Sequence, residues 1–148
     1  MYGPAFEASH DYEHIQRVVA LAFKIYHAHK NEQWAQDVEE MVLYVACMVH
    51  DVGDAKYHPL KEGDERDQED VIRYFLKQHS CKDPRIQAPA AYIASRVSFT
   101  REINDPEEAQ REVNIYPALH IAQDADRLDG LGAIGIGRCF VFGGINEE

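Results

Sequence analysis

Residues His50 to His58 read HDVGDAKYH, and they follow directly on the apolar run Met41-Val42-Leu43-Tyr44-Val45-Ala46-Cys47-Met48-Val49. A run that apolar belongs in an interior, since a fully buried Val, Leu or Met side chain gains roughly 1.5–3 kcal/mol by leaving water. An imidazole and a carboxylate at the end of it are costly to bury unless something pairs them. A divalent metal does so, because neutral imidazole nitrogen and carboxylate oxygen are both good ligands for zinc, manganese or iron. The same residues also suit a plain helix C-terminus. Gly53 would be the left-handed stop, and His50 would sit at the negative end of the dipole. The stretch alone leaves both readings open, so the rest of the chain must supply further ligands.

The chain has 148 residues, expected to fold as one domain, 1–148, with room for a substantial core. With 45 % apolar and 10 % aromatic residues, global disorder is excluded. Against 26 acidic residues stand 15 basic ones, a formal net charge of -11. That argues against a nucleic-acid polymer as partner, which calls for a basic face. A small anionic substrate is compatible if a metal or a few basic side chains reverse the local field. Cys47, Cys81 and Cys139 have neither disulfide nor metal spacing and read as reduced thiols of a cytoplasmic protein. The opening MYGPAFEASHDYEH is no secretory signal, and no apolar stretch reaches the roughly 18–20 residues that span a bilayer. No membrane partner is expected.

The periodicity predicts an all-α fold, a bundle of about six helices. Ser9 is a candidate N-cap, and Ile15, Val18, Val19, Ala22, Ile25 and Tyr26 form a helical stripe running toward Lys30, with His14 at its edge. Residues 31–36 read as a turn, residues 37–50 as the second helix and residues 56–64 as a loop. Helices are expected over 65–79, with Val71, Ile72, Phe75 and Leu76 inward, and over 84–97, with Ile86, Ala90, Ile93, Ala94 and Val97 inward. Asn104-Asp105-Pro106-Glu107-Glu108 combines a capping side chain, a proline and two first-turn carboxylates, and so opens a short helix. Pro117 opens another to about Asp124, and a small-residue helix spans 127–142 before Gly143-Gly144. No alternation of apolar and polar residues persists long enough for a strand.

Two more polar sets stand where burial is expected. One is Asp124, Asp126 and Asp129 within QDADRLDGLGAIG; the other is His14 with Arg17. His14, His50, Asp51 and Asp126 together offer two nitrogens and two carboxylate oxygens, a mixed set that suits Mn²⁺, Fe²⁺ or Zn²⁺ with positions left for water and substrate. The literal GxGxxG of Gly130 to Gly135 follows no strand and reads as close helix packing. His27 and His29 read as favourable charges at a helix C-terminus.

The motifs HDYEHIQRV, VHDVGD and DADRLDGLGAIGIGR, in that order, resemble the HD-domain metal-dependent phosphohydrolase superfamily, whose ligand pattern is H…HD…D. The likeness covers nearly the whole chain. It implies His14, His50, Asp51 and Asp126 as ligands of one divalent metal, Mn above all, with Fe, Co, Zn, Ni and Mg as alternatives. His10-Asp11 is a decoy by the same pattern, because only His14 is followed by x-x-R-V. The branch it is most similar to, small nucleoside-triphosphate pyrophosphohydrolases, implies a nucleotide substrate. A (d)NTP would be cleaved to (d)NMP and pyrophosphate through a metal-activated water. A 5′-nucleotidase-type phosphomonoesterase and a non-catalytic nucleotide- or metal-sensing module are the alternatives. Asp54 falls where related enzymes carry an acidic residue beside the metal water, implying a general acid/base or water-orienting role. Lys56 is the candidate to neutralise a phosphate, with a solvated loop lysine as the plain alternative. Arg17 and Arg127 would fix the ligand carboxylates. His58, Lys61, Arg96 and Arg101 could reach a polyphosphate but fit ordinary surface better. Members of this type continue past the Gly-rich helix, so a family C-terminal helix is expected to be lacking here, and a homodimer is a candidate assembly.

Overall fold

The structure, a computed structural model, describes residues 12–54, 66–79 and 81–145. Among these residues there are eight α-helices and no strand. Helix α1 (Tyr12–His29) buries His14, Ile15, Val18 and Ala22. A single 3-10 turn (Gln33–Asp37) leads to α2 (Glu40–Val49), which turns Val42, Leu43, Ala46, Cys47 and Val49 inward. Helix α3 (Gln68–Gln78) is capped by the Asp67 carboxylate, which accepts the Asp70 N–H. Helix α4 (Pro84–Ala94) is capped by Asp83, and a short α5 (Phe99–Asn104) follows it. In α6 (Pro106–Ile115) the Asp105 carboxylate accepts the Glu108 N–H, the cap that the Asp-Pro-Glu-Glu run predicts. Helices α7 (Pro117–Asp129) and α8 (Gly132–Ile145) complete the described chain.

The bundle is built around α7, which packs on α1, α2, α4 and α6, while α2 lies against α1 and α4, and α3 covers α4. Leu43, Ile72, Ile93, Leu119 and Ile121 are wholly buried between them. Each gains about 1.5–3 kcal/mol from that burial. A polar brace joins α3, α4, α5 and α6. Arg96 lies 3.6 Å over the Tyr92 ring, pairs with Glu69 at 2.7 Å and with Glu112 at 2.8 Å, and Glu112 also takes Arg101 at 2.6 Å. Arg96 is therefore part of the frame and not the surface residue its sequence context suggests.

The expected count of about six helices is corrected to eight. Helix α5 buries none of its residues, so no apolar stripe announces it. The second helix begins at Glu40 and not near residue 37, because the 3-10 turn takes the preceding residues. Helix α7 does not stop near Asp124: Ala122, Ala125 and Asp129 continue its buried face, and Asp126 between them turns toward His14 and His50. Ser9, His10, Lys56, His58 and Lys61 lie outside the described residues.

Three glycines are required by the backbone, one of them Gly132 at the start of α8, whose φ of +69° is left-handed. Gly53 has φ +71°, and a Cβ there would stand 2.7 Å from Val71 Cγ1. At Gly135 a Cβ would stand 1.9 Å from the Gly130 carbonyl oxygen, which explains the GxGxxG spelling as the tight α7–α8 corner. No helix among the described residues is long and apolar enough to cross a membrane.

Candidate metal centre

The buried face of α1 delivers His14, the turn that ends α2 delivers His50 and Asp51, and the last turns of α7 deliver Asp126. Both imidazoles are buried, His14 at 1 % and His50 at 6 % exposure. Their ring centroids are 5.3 Å apart. His14 Nε2 lies 3.4 Å from Asp126 Oδ1 and 3.7 Å from Asp51 Oδ2. His50 Nε2 lies 3.3 Å from Asp51 Oδ1 and 3.7 Å from Asp126 Oδ1. Ligand atoms of His14, His50 and Asp126 all fall within 4.8 Å of one another, a group that could hold a metal ion. The four residues named from sequence are thus brought into one pocket from three helices far apart in the chain.

The hydrogen bonds decide which ring nitrogens face that pocket. His14 Nδ1 donates to Asp129 Oδ2 at 2.7 Å, and His50 Nδ1 donates to the Cys47 carbonyl at 2.9 Å. A carbonyl can only accept, so in neutral His50 the lone pair is left on Nε2. His50 Nε2 and Asp51 Oδ2 are buried without a hydrogen-bond partner among the described residues. Buried polar atoms are normally satisfied, and a cation between these rings and carboxylates would satisfy them. The donor set of imidazole nitrogen and carboxylate oxygen fits Mn²⁺, Fe²⁺ or Zn²⁺.

The electrostatics say the same. Burial pulls the His50 pKa down, but the Asp51 and Asp126 carboxylates and the Cys47 carbonyl outweigh it and push it up to about 9. His14 moves the other way, lowered chiefly by burial and further by the charge of His50. Burial acts to raise the Asp126 pKa, yet His50 and His14 bring it below the usual carboxylate range. Burial pushes the Cys47 thiol up to about 12, so it contributes no thiolate.

Asp129, 4 % exposed, is the pivot behind the site. Besides His14 it accepts Arg17 Nε at 2.6 Å and Arg138 at 2.7 Å. Burial acts to raise its carboxyl, but the hydrogen bonds and charges of Arg17 and His14 hold it below the usual range. Arg17, expected to fix a ligand carboxylate, instead fixes this carboxylate and acts on the site through His14. Arg127 departs further from expectation: it pairs with Glu102 and approaches Asp124 at 4.0 Å. Gln68 is a contributor that no sequence pattern marks. Its amide donates to the His50 carbonyl at 3.1 Å and the Val52 carbonyl at 3.3 Å, tying α3 to the turn that carries His50 and Asp51. Asp129 had a legible signal, one helical turn beyond Asp126; Arg138 had none, because its partner comes from another helix.

A cavity of about 280 Å³ opens beside the cluster, lined by His50, Asp51, Asp54, Gln68, Phe99 and Asp126 among others. Asp54 also lines an adjoining cavity of about 550 Å³ with Gln68, Ser98, Thr100 and Arg101. Lys56 lies outside the described residues.

A helical bundle that converges two buried histidines and two aspartates from separate helices is the arrangement of a metal-binding HD fold. The HD domain model matches residues 11–131, and the chain belongs to the HD domain family. Proteins of this family bind divalent metals and are generally metal-dependent hydrolases. The chain is also 30 % identical over 137 residues to the uncharacterized protein YpgQ of Bacillus subtilis (strain 168), an alignment covering 93 % of this chain. It spans 58 % of that relative's length. No solved structure matches it significantly.

Proposed function

We propose that this protein is a metal-dependent phosphohydrolase acting on nucleotides, cleaving a (d)NTP to (d)NMP and pyrophosphate. The observation that carries the reading is the inward convergence of the His14 and His50 Nε2 atoms on Asp51 and Asp126 beside an open cavity. In this reading His14, His50, Asp51 and Asp126 hold one divalent cation, most readily Mn²⁺. When bound, such an ion supplies a Lewis acid that lowers the pKa of water and offsets phosphate charge.

The protein groups do the positioning. Asp129 and the Cys47 carbonyl fix the two ring orientations, and Gln68 fixes the turn between them. Asp54, on the wall shared by the two cavities, takes the proton of the attacking water and returns it to the leaving oxygen. Lys56, two residues on, neutralises charge on the phosphate chain. Phosphoryl transfer asks mainly for such placement and charge balance. With a net charge of -11, the protein needs this local positive centre to admit a polyanion.

The test is a panel of nucleoside mono-, di- and triphosphates with Mn²⁺-loaded protein, separating phosphate from pyrophosphate among the products. Pyrophosphate release from triphosphates, abolished by His50→Ala and by Asp126→Ala, is the expected result. Phosphate release from monophosphates would replace the reading with a 5′-nucleotidase. Tight binding of nucleotide that stays intact for hours would replace it with a sensing module. Full activity in both variants would refute the ligand assignment.

A further inference from the structure

One wall of the cavity has no part in holding a metal or moving a proton. Phe99, the first residue of α5, lines the same cavity as His50, Asp51 and Asp126, yet it is 57 % exposed. An aromatic ring left in water forgoes a large part of the burial it could gain. No residue of α5 is buried, so the helix is not held in place by a core. It is held by charge: Arg101 pairs with Glu112 at 2.6 Å, and Glu102 pairs with Arg127. The Arg127 guanidinium in turn lies 5.3 Å over the Phe99 ring, within the range of a cation–π contact. Ion pairs from two neighbouring helices therefore fix an exposed ring at the edge of the cavity. Arg127 backs the ring, and its buried Nε has no hydrogen-bond partner among the described residues.

We propose that Phe99 is the platform on which the base of a nucleotide substrate stacks, with Arg127 behind it, and so determines that the site takes nucleotides in preference to inorganic polyphosphates. The inference rests on the nucleotide-hydrolase reading above and extends it to the end of the substrate away from the phosphates. Stacking is tolerant of base identity, because every base has a π-face. Phe99 therefore selects for the presence of a base and not for one base over another.

The experiment measures kcat/KM for a nucleoside triphosphate and for inorganic tripolyphosphate with the full, Mn²⁺-loaded chain, as wild type, Phe99→Ala and Phe99→Trp. Losing one base–aromatic stack should cost Phe99→Ala about tenfold on the nucleotide, mainly in KM. Tripolyphosphate turnover should stay within about twofold of wild type, since no base is involved. Phe99→Trp should recover nucleotide turnover. It also places a second indole in a chain that has only one tryptophan, so titration with a non-hydrolysable nucleoside triphosphate should quench its added fluorescence, and tripolyphosphate should not. Equal losses on both substrates, or no loss on the nucleotide, overturn the stacking role while leaving the nucleotide reading in place. A wild-type chain that hydrolyses no nucleotide overturns both. Because Phe99 is exposed, Phe99→Ala should keep the wild-type circular dichroism spectrum and melting temperature.

Discussion

Replacing Asp129 by asparagine should weaken metal binding although no proposed ligand is removed. In the native site Asp129 Oδ2 accepts the His14 Nδ1 proton at 2.7 Å and an Arg138 N–H at 2.7 Å, while Oδ1 accepts Arg17 Nε at 2.6 Å. Asparagine has the same shape but only one accepting oxygen. If its amide nitrogen takes the place of Oδ1, it meets the Arg17 Nε–H, donor against donor. If it takes the place of Oδ2, it meets an Arg138 N–H, and the His14 imidazole must accept there and carry its proton on Nε2, where a metal would bind. Loss of such an orienting partner costs about 10–100-fold in metal affinity, equivalent to about 1.4–2.7 kcal/mol. Stability should fall as well. A fully buried ion pair broken on one side costs about 3–5 kcal/mol, but the Arg17 side chain is 30 % and that of Arg138 17 % exposed. Solvent screening brings the expected cost to about 1–3 kcal/mol. Mn²⁺ titration followed by electron paramagnetic resonance gives the affinity, and urea unfolding of the metal-free protein gives the stability. A folded Asp129→Asn protein with a Kd within twofold of wild type would refute the reasoning. Asp129 would then be an anchor for two arginines and nothing more. Arg17→Gln, which leaves the His14–Asp129 contact in place, should lose less affinity than Asp129→Asn.

Gly53→Ala faces two penalties at once, a left-handed backbone at φ +71° and a Cβ 2.7 Å from Val71 Cγ1. It should lose about 2–4 kcal/mol in urea unfolding, and a loss below about 1 kcal/mol would mean that the turn relaxes freely. Acid should unfold the brace around Glu112. Burial works to raise that carboxyl, but its hydrogen bonds to Arg101 and Arg96 hold it below its ordinary 4.5. A depressed folded pKa contributes stability that is present above pH 4.5 and lost as pH falls through the lowered value. Melting temperatures measured from pH 7 down to pH 3 should fall less steeply for Glu112→Gln than for wild type, and parallel curves would count against the brace. Gln68→Ala frees two carbonyls at the end of α2 and should cost about 1–2 kcal/mol with a measurable drop in Mn²⁺ affinity. Unchanged affinity there would show that the turn holds His50 and Asp51 without help.

Much of this protein was legible in its sequence. The apolar stripes of α1, α3 and α4 and the Asp-Pro-Glu-Glu start of α6 are local patterns, set by periodicity and capping, and they appear where expected. So does the left-handed Gly53 after α2. The two readings of HDVGDAKYH turn out to be compatible: the stretch ends a helix, and that ending is what aims His50 and Asp51 at His14 and Asp126. Helix α5 escaped because an element that buries nothing leaves no periodic mark.

What only the tertiary structure decided are the partners that share no local pattern. Asp129 meets His14 and Arg138, Gln68 meets the turn after α2, and Arg127 leaves the ligands for Glu102 and Phe99. Residue type and spacing along one helix determine which side chains can serve as ligands, because that face is repeated every turn. Cys47, three residues back, sets the proton that His50 keeps, but the proton that His14 keeps and the carboxylate behind it depend on the packing of α7 against α1, segments more than eighty residues apart in the chain.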